Sequence, residues 1–508
     1  MSYADLLNVT GRVNDFLNAG SILSWDSRTM MPHKGAASRS KQLATLAVAA
    51  RDLLCSDEMK RALDGARKDV ASKEETSPEA RIVVQVAEAI DYHERIPVEL
   101  LHRKTELGSA AHGVWAEARE KADFSIFAPA LTTMVDINRE MAEAIGYKDH
   151  PYDALMYRFE PGTTIAELNV LFARLREGMQ PLVQAIANAP KPRSDFLFRD
   201  YPVDSQMAFA EKMAERIGYD LSRGRLDTTV HPFEVSFTRD DVRITTRVNR
   251  KYMPMSLFGA LHEAGHAMYE QGVDPDYTRT PLATDLISLY AVGGVSFGAH
   301  ESQSRLWENH VGRSHSFWKN HFEDIRAAYP GTLDDVSVDE FHRAINRSEP
   351  SLIRVEADEL TYDFHIMLRV ELESKLIDGS LAVADLPEAW NEAMKSTLGI
   401  DVPDDGQGVL QDVHWSSGQI GTFCNYTIGN VMAAQLFDTA VTAEPNIQTA
   451  LDGADYTPLR DWLTNNVATH GRRFTRDELL QNATGRTLDP EPYLRYLTAK
   501  YNEIYNLA

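Results

Sequence analysis

The chain has 508 residues, a formal net charge of −23 and two cysteines, Cys55 and Cys424. The acidic balance argues against nucleic acid and anionic membrane surfaces as partners. Two cysteines are too few for a disulfide framework or a cysteine-rich zinc site. The start, Met1-Ser2-Tyr3-Ala4-Asp5, lacks the basic and apolar regions of a leader, and the most apolar window, 281–299, is Gly-rich and broken by Asp285. A cytoplasmic protein without a membrane span is therefore expected.

Most of the chain reads as helix. Ala/Leu periodicity after Pro32 and Gly35 predicts a helix over 36–54, and Ser77-Pro78-Glu79 opens another over 78–93. Long helical patterns cover 98–121 and 127–145, the second closing at Gly146. Thr164-Ile165-Ala166-Glu167 is a capping box that opens a helix to about 188. Pro190, Pro192 and Pro202 then mark a loop region. With no internal repeat and no shift in composition, residues 1–508 read as one large, mainly α unit. Thr228–Val248 differs: Val, Thr and Phe alternate, predicting a strand pair that turns near Arg239-Asp240-Asp241. Such an edge beside a metal can hold a peptide backbone by β-addition; a structural hairpin fits the sequence equally well.

The next element carries the chemistry. Leu257, Leu261, Ala264 and Met268 form an apolar stripe at helical spacing, with Pro254 and Ser256 at the start and Gly272 at the stop. On that helix lies His262-Glu263-Ala264-Gly265-His266, an HExxH pattern. Histidines at i and i+4 share a face and can ligate one ion, with Glu263 beside them as a base for a coordinated water. The metzincin continuation is excluded, because Tyr269 and Gly272 stand where Gly and His are required. A second helix must then supply a carboxylate. Glu301, in Gly298-Ala299-His300-Glu301-Ser302-Gln303-Ser304-Arg305, is the candidate third ligand; its bland alternative is a surface salt bridge.

Residues 352–372 read as a further helix. Ile353, Ala357, Leu360, Phe364 and Met367 make its apolar stripe, and Glu356, Glu359 and Asp363 an acidic, solvated face. Arg354, Asp358, Thr361 and His365 make a second polar stripe. One polar face looking into a wet cavity would explain two such stripes; an Arg354–Asp358 surface ion pair is the simpler alternative.

In order, these stretches match the motifs of one family. Asp241-Val242-Arg243-Ile244-Thr245 fits DxRxT, followed by the HExxH, then His300-Glu301-Ser302-Gln303. Ile353-Arg354-Val355-Glu356-Ala357-Asp358 fits IRxxAD, and Gly408 to Trp415 fits GxxQDxHW. Trp25-Asp26 with Met31-Pro32 matches near the N-terminus. The chain thus resembles the carboxypeptidase Taq family over nearly its whole length. The resemblance implies an almost wholly helical saddle or clam of the HExxH gluzincin type, with a deep central groove and a small sheet by the zinc. It implies zinc-dependent removal of single residues from peptide C-termini with broad tolerance, and a homodimer. Peptides are the expected substrates, with neither nucleic acid nor membrane as partner. One zinc per chain is expected on His262, His266 and Glu301, and cobalt or manganese can substitute, since affinity order alone does not set occupancy. Glu263 is the base. Tyr426 or His414 is the candidate oxyanion donor; Arg354, then Arg243, the candidate anchor for the terminal carboxylate. Asp412 is expected to orient a ligand histidine, and Asp358 and His300 to support the site. A zinc endo-oligopeptidase or a non-catalytic peptide-binding protein on the same scaffold are the rival readings. Two departures stand out: extra material within Thr284–Gly294, and Thr422 and Cys424 in place of a family Tyr and Pro, with Tyr426 retained.

Overall fold

A computed structural model describes residues 1–507. The chain is mainly helical with a single three-stranded sheet among the described residues. It divides into two compact units, each assembled from three stretches: 1–93, 192–345 and 429–492 form one, and 94–191, 346–428 and the described residues from 493 onward form the other. Because both units draw on the N-terminal, middle and C-terminal parts of the sequence, no change of composition marks where one ends. No helix among the described residues is long and apolar enough to cross a membrane.

The first unit begins with the helix Tyr3–Thr29, opened by a capping box between Ser2 and Asp5. It packs on the helices Ala36–Leu54 and Asp57–Asp69. The predicted strand pair is present and has a third member. Strands β1 (Leu226–Thr228), β2 (Glu234–Thr238) and β3 (Asp241–Thr246) lie in the order β1–β3–β2. β2 and β3 are antiparallel, and β1 adds in parallel on the other side of β3. β1 is only three residues long, too short to show alternation. The last turn of the Tyr3–Thr29 helix sits on this sheet: Trp25 is buried with Val235 and Phe237, and the guanidinium of Arg243 lies 4.6 Å from its ring centroid.

The helix Pro254–Gly272 packs against β3, where the Thr246 hydroxyl donates to the Ser256 carbonyl at 2.8 Å. Its predicted apolar stripe is buried, and so are Glu263, Glu270 and Gln271. A helix submerged on nearly every side must find partners for its polar groups inside the protein.

In the second unit the helices Val98–Lys121, Phe124–Ile145 and Ile165–Ala187 follow their predicted limits closely, the last with its capping box formed. The segment 352–372 does not. Arg354–Glu356 is a 3₁₀ turn and the helix is Glu359–Asp378. Asp358 explains the shift: its carboxylate accepts from the amides of Leu360 (3.0 Å) and Thr361 (3.1 Å), capping the helix there. The polar stripe from Arg354 to His365 therefore does not exist, and Arg354 and Asp358 do not pair. Asp363 does not belong to a solvated face either. It is fully buried and accepts from the Thr427 hydroxyl (2.7 Å) and the Tyr493 phenol (2.8 Å).

Candidate metal centre

In the first unit, Nε2 of His262 and Nε2 of His266 lie 3.6 and 3.3 Å from the same oxygen, Oε2 of Glu301. Donors about 2.1 Å from a common tetrahedral ion stand about 3.4 Å apart, so this set fits zinc in type and spacing. Glu301 comes from the helix Phe297–Arg305, which crosses the motif helix at Gly265. A Cβ there would lie 2.6 Å from the Gln303 carbonyl oxygen and 2.7 Å from the Ser304 Cα. On its other side Glu301 meets Gly429, whose Cβ would fall 2.6 Å from the Glu301 Cγ.

The other Glu301 oxygen, Oε1, accepts from Nε of Arg305 at 2.7 Å, while Oε2 faces the histidines and also takes the Ser304 hydroxyl at 3.3 Å. Burial alone would raise the Glu301 pKa, but Arg305 and both histidines outweigh it and hold the carboxyl well below the usual range.

The two histidines are held differently. Nδ1 of His262 lies 3.0 Å from Oε2 of Glu308. An ionised carboxylate only accepts, so Nδ1 carries the proton and Nε2 presents its lone pair. Burial opposes ionisation of Glu308, yet Arg313, His262 and Arg305 keep it far below the normal range; Arg313 Nη2 donates to it at 2.8 Å. Glu308 belongs to a π-helical segment, Leu306–Gly312, which continues the Glu301 helix with a wider turn. His266 is fixed instead by stacking. Its ring lies 4.4 Å from that of His300 with 16° between the planes. His300 Nε2 is 3.1 Å from Glu270, which also accepts from the amides of Gly293 (2.8 Å) and Gly294 (3.2 Å).

Glu263 is buried beside these groups. Burial pushes its carboxyl up to about 7, with Glu301 and Glu308 adding and His262 and Arg305 opposing. A carboxylate poised there can take a proton from water and return it near neutral pH.

The other predicted residues have partners of their own. Arg243 donates through Nε and Nη2 to Asp241, each at 2.8 Å. Arg354, His414, Tyr426, Asp358 and Asp412 belong to the second unit. Asp412 does not orient a ligand histidine. Its Oδ1 accepts from Nε (3.0 Å) and Nη2 (2.7 Å) of Arg354, and its Oδ2 from Nε of Arg369 at 2.5 Å. Two neighbouring guanidiniums claim it, and Glu308 fills the role expected of it. Arg354 also donates to the Tyr362 phenol (3.0 Å) and lies over the Tyr426 ring at 5.5 Å. Burial holds His414 neutral, with a pKa down at about 4 despite Asp412. Thr422 is buried and its hydroxyl accepts from Asn425 at 3.2 Å. Glu308 was missed from sequence, although an acid directly after Leu306 and Trp307 in a helical run was a signal of a buried, partnered carboxylate.

The sequence matches the family described as Carboxypeptidase Taq (M32) metallopeptidase over residues 5–501. Carboxypeptidase 1 of Bacillus subtilis is 38% identical, across 99% of this chain and 98% of that protein. Thermostable carboxypeptidase 1 of Thermus thermophilus is 38% identical across 99% of each. The fold superposes on the crystal structure of the M32 carboxypeptidase from Deinococcus radiodurans with a TM-score of 0.94, at 39% identity and 99% coverage of both chains.

Proposed function

The chain belongs to the carboxypeptidase Taq (M32) metallopeptidase family, and from that premise we propose that it is a zinc carboxypeptidase releasing single residues from peptide C-termini with broad side-chain tolerance. The observation that carries the choice of zinc is the convergence of two imidazole nitrogens and one carboxylate oxygen within ligand distance of a common point. Zinc bound there would supply acidification of a water and polarisation of the scissile carbonyl.

The chain's own residues do the rest. Glu263 takes the proton from the attacking water and passes it to the leaving amine. Glu308 keeps the Nε2 of His262 free of a proton, and His300 holds the plane of His266. Arg305 directs one oxygen of Glu301 toward the histidines. His414 or Tyr426 is proposed as the hydrogen-bond donor to the developing oxyanion. Arg354 is proposed as the anchor of the terminal carboxylate, because two guanidiniums there share the single carboxylate of Asp412 and leave one positive charge in excess.

Zinc analysis and product mass spectrometry test this reading together. An unblocked peptide should yield a ladder shortened one residue at a time from its C-terminus, and its C-terminal amide should resist. His262→Ala, His266→Ala and Glu301→Ala should each lose zinc. Internal cleavage of the amidated peptide would replace the carboxypeptidase by an endo-oligopeptidase, and full zinc in Glu301→Ala would remove Glu301 from the ligand set.

A further inference from the structure

Nδ1 of His266 is buried and has no hydrogen-bond partner. A ligand imidazole is usually turned toward its metal by what its second nitrogen bonds to, as Glu308 does for His262. For His266 that hold has to come from the faces of the ring. His262 meets it edge-on, with 5.0 Å between the ring centroids and 81° between the planes. His300 lies flat against it, at 4.4 Å and 16°.

His300 is itself held. Glu270 follows His266 by four residues on the helix Pro254–Gly272, so both sit on one face, a turn apart. His300 bridges that turn, stacked on His266 and with its Nε2 3.1 Å from Oε1 of Glu270. Tyr269 stacks with the His300 ring as well, at 5.7 Å and 26°. Glu270 has no freedom to swing. Its two oxygens accept from the Gly293 amide at 3.0 and 2.8 Å, Oε1 accepts from the Gly294 amide at 3.2 Å, and the Ser236 hydroxyl lies 3.4 Å from Oε2. A second buried carboxylate, Glu234, stands 3.9 Å from the same nitrogen of His300, beyond hydrogen-bond range.

Gly293 and Gly294 end the segment Thr284–Gly294 that stood out in the sequence. The rest of that segment is anchored: Asn14 donates to the Thr284 hydroxyl at 2.6 Å, His93 Nε2 lies 2.9 Å from the Leu286 carbonyl oxygen, and Asp285 and Tyr290 exchange backbone bonds of 2.8 and 3.0 Å. Arg472 ties its two ends, lying 3.3 Å from Asp285 and donating to the Gly294 carbonyl. The approach to His300 is as close as a backbone allows. A Cβ on Gly294 would fall 2.9 Å from Cδ2 and 3.1 Å from Cβ of His300, and one on Gly293 would fall 3.3 Å from Oε2 of Glu270.

Resting on the metallopeptidase reading above, we propose that Glu270 is a positioning residue of the metal centre. It locks the segment Thr284–Gly294 to His300, and His300 holds His266 in the plane that aims Nε2 at the ion. The segment thereby helps to set metal affinity without supplying a ligand.

Zinc affinity, by competition with a chelator, and the visible absorption of the cobalt(II)-loaded protein both read the donor geometry without turnover. Glu270→Gln keeps the shape but sets an amide NH₂ against donors already in place. It should weaken zinc about tenfold or more and change the cobalt bands. Gly294→Ala pushes on His300 and leaves every carboxylate where it is; it should shift the same bands. His300→Phe retains a ring to stack and removes the bond to Glu270. Adding Glu270→Gln to it should cost no further affinity, because the route from Glu270 to the ion is already cut. Additive losses in that double variant would overturn the proposal, as would unaltered bands in Gly294→Ala. So would a metal-free Glu270→Gln that is less stable in urea yet keeps full affinity and unaltered bands, since Glu270 would then be a structural hydrogen-bond acceptor. A wild type that takes up neither zinc nor cobalt would instead overturn the metal reading, and metal uptake without peptide trimming would overturn the carboxypeptidase reading alone.

Discussion

Each unit buries a cluster of charged groups, and the two are built to opposite ends. Around His262, His266 and Glu301, Nδ1 of His262 is engaged by Glu308, Oε1 of Glu301 by Arg305 and the His266 ring by His300, while Nδ1 of His266 has no hydrogen-bond partner. Nε2 of each histidine and Oε2 of Glu301 are left converging on one another. Around Asp412, donors and acceptor face inward and close on each other, Arg354 and Arg369 filling both oxygens. An arrangement of lone pairs in excess waits for a cation; two guanidiniums on one carboxylate hold each other in place and keep one positive charge over. Burial alone does not separate the two clusters; the sign of what is left over does.

The contrast can be broken at four points. Glu263→Gln touches neither set of partners, so turnover should fall on the order of 10²–10⁴-fold with zinc content unchanged, read by peptide hydrolysis and metal analysis on the same sample. Asp412→Asn leaves two buried guanidiniums without their counter-charge. Urea unfolding should show a loss of about 3–5 kcal/mol with zinc retained, and release of zinc by that variant would erase the distinction between the clusters. Glu308→Gln keeps the shape but removes the charge behind His262. Zinc affinity measured against a competing chelator should drop about 10–100-fold, and an unchanged affinity would mean that His262 orients itself. The smallest effect is expected from Gly265→Ala, where overpacking between the two ligand helices should cost about 1–3 kcal/mol of stability and lower zinc affinity with it. Stability lost without any change in affinity would show that the helix crossing does not set the donor spacing.

Much of the chemistry was legible because it rests on short-range spacing. His262 and His266 lie about one helical turn apart, so the sequence alone places them on a common face, with Glu263 at its edge. The long helices were legible for the same reason, their caps and stops being local, as at Thr164 and Gly146. What stayed hidden depends on partners far along the chain. Asp412 reads as a carboxylate near a histidine until Arg354 and Arg369, distant in sequence, arrive to claim it. Arg354 looked helical because apolar residues continue its period, while the competing cap at Asp358 decides the backbone. Glu308 was missed because its partner His262 lies on a different helix, far along the chain.

One feature of the metal centre reaches beyond the residues that touch it. At Gly265 and Gly429 the spacing is set by atoms with no room to give: main chain against main chain at the first, a glycine Cα against the stem of Glu301 at the second. Backbone contacts are a gauge that substitution elsewhere does not recut. The same stiffness sorts ions by radius: a cradle that cannot widen gives a larger, oxygen-seeking cation such as calcium neither the distance nor the ligand number it needs.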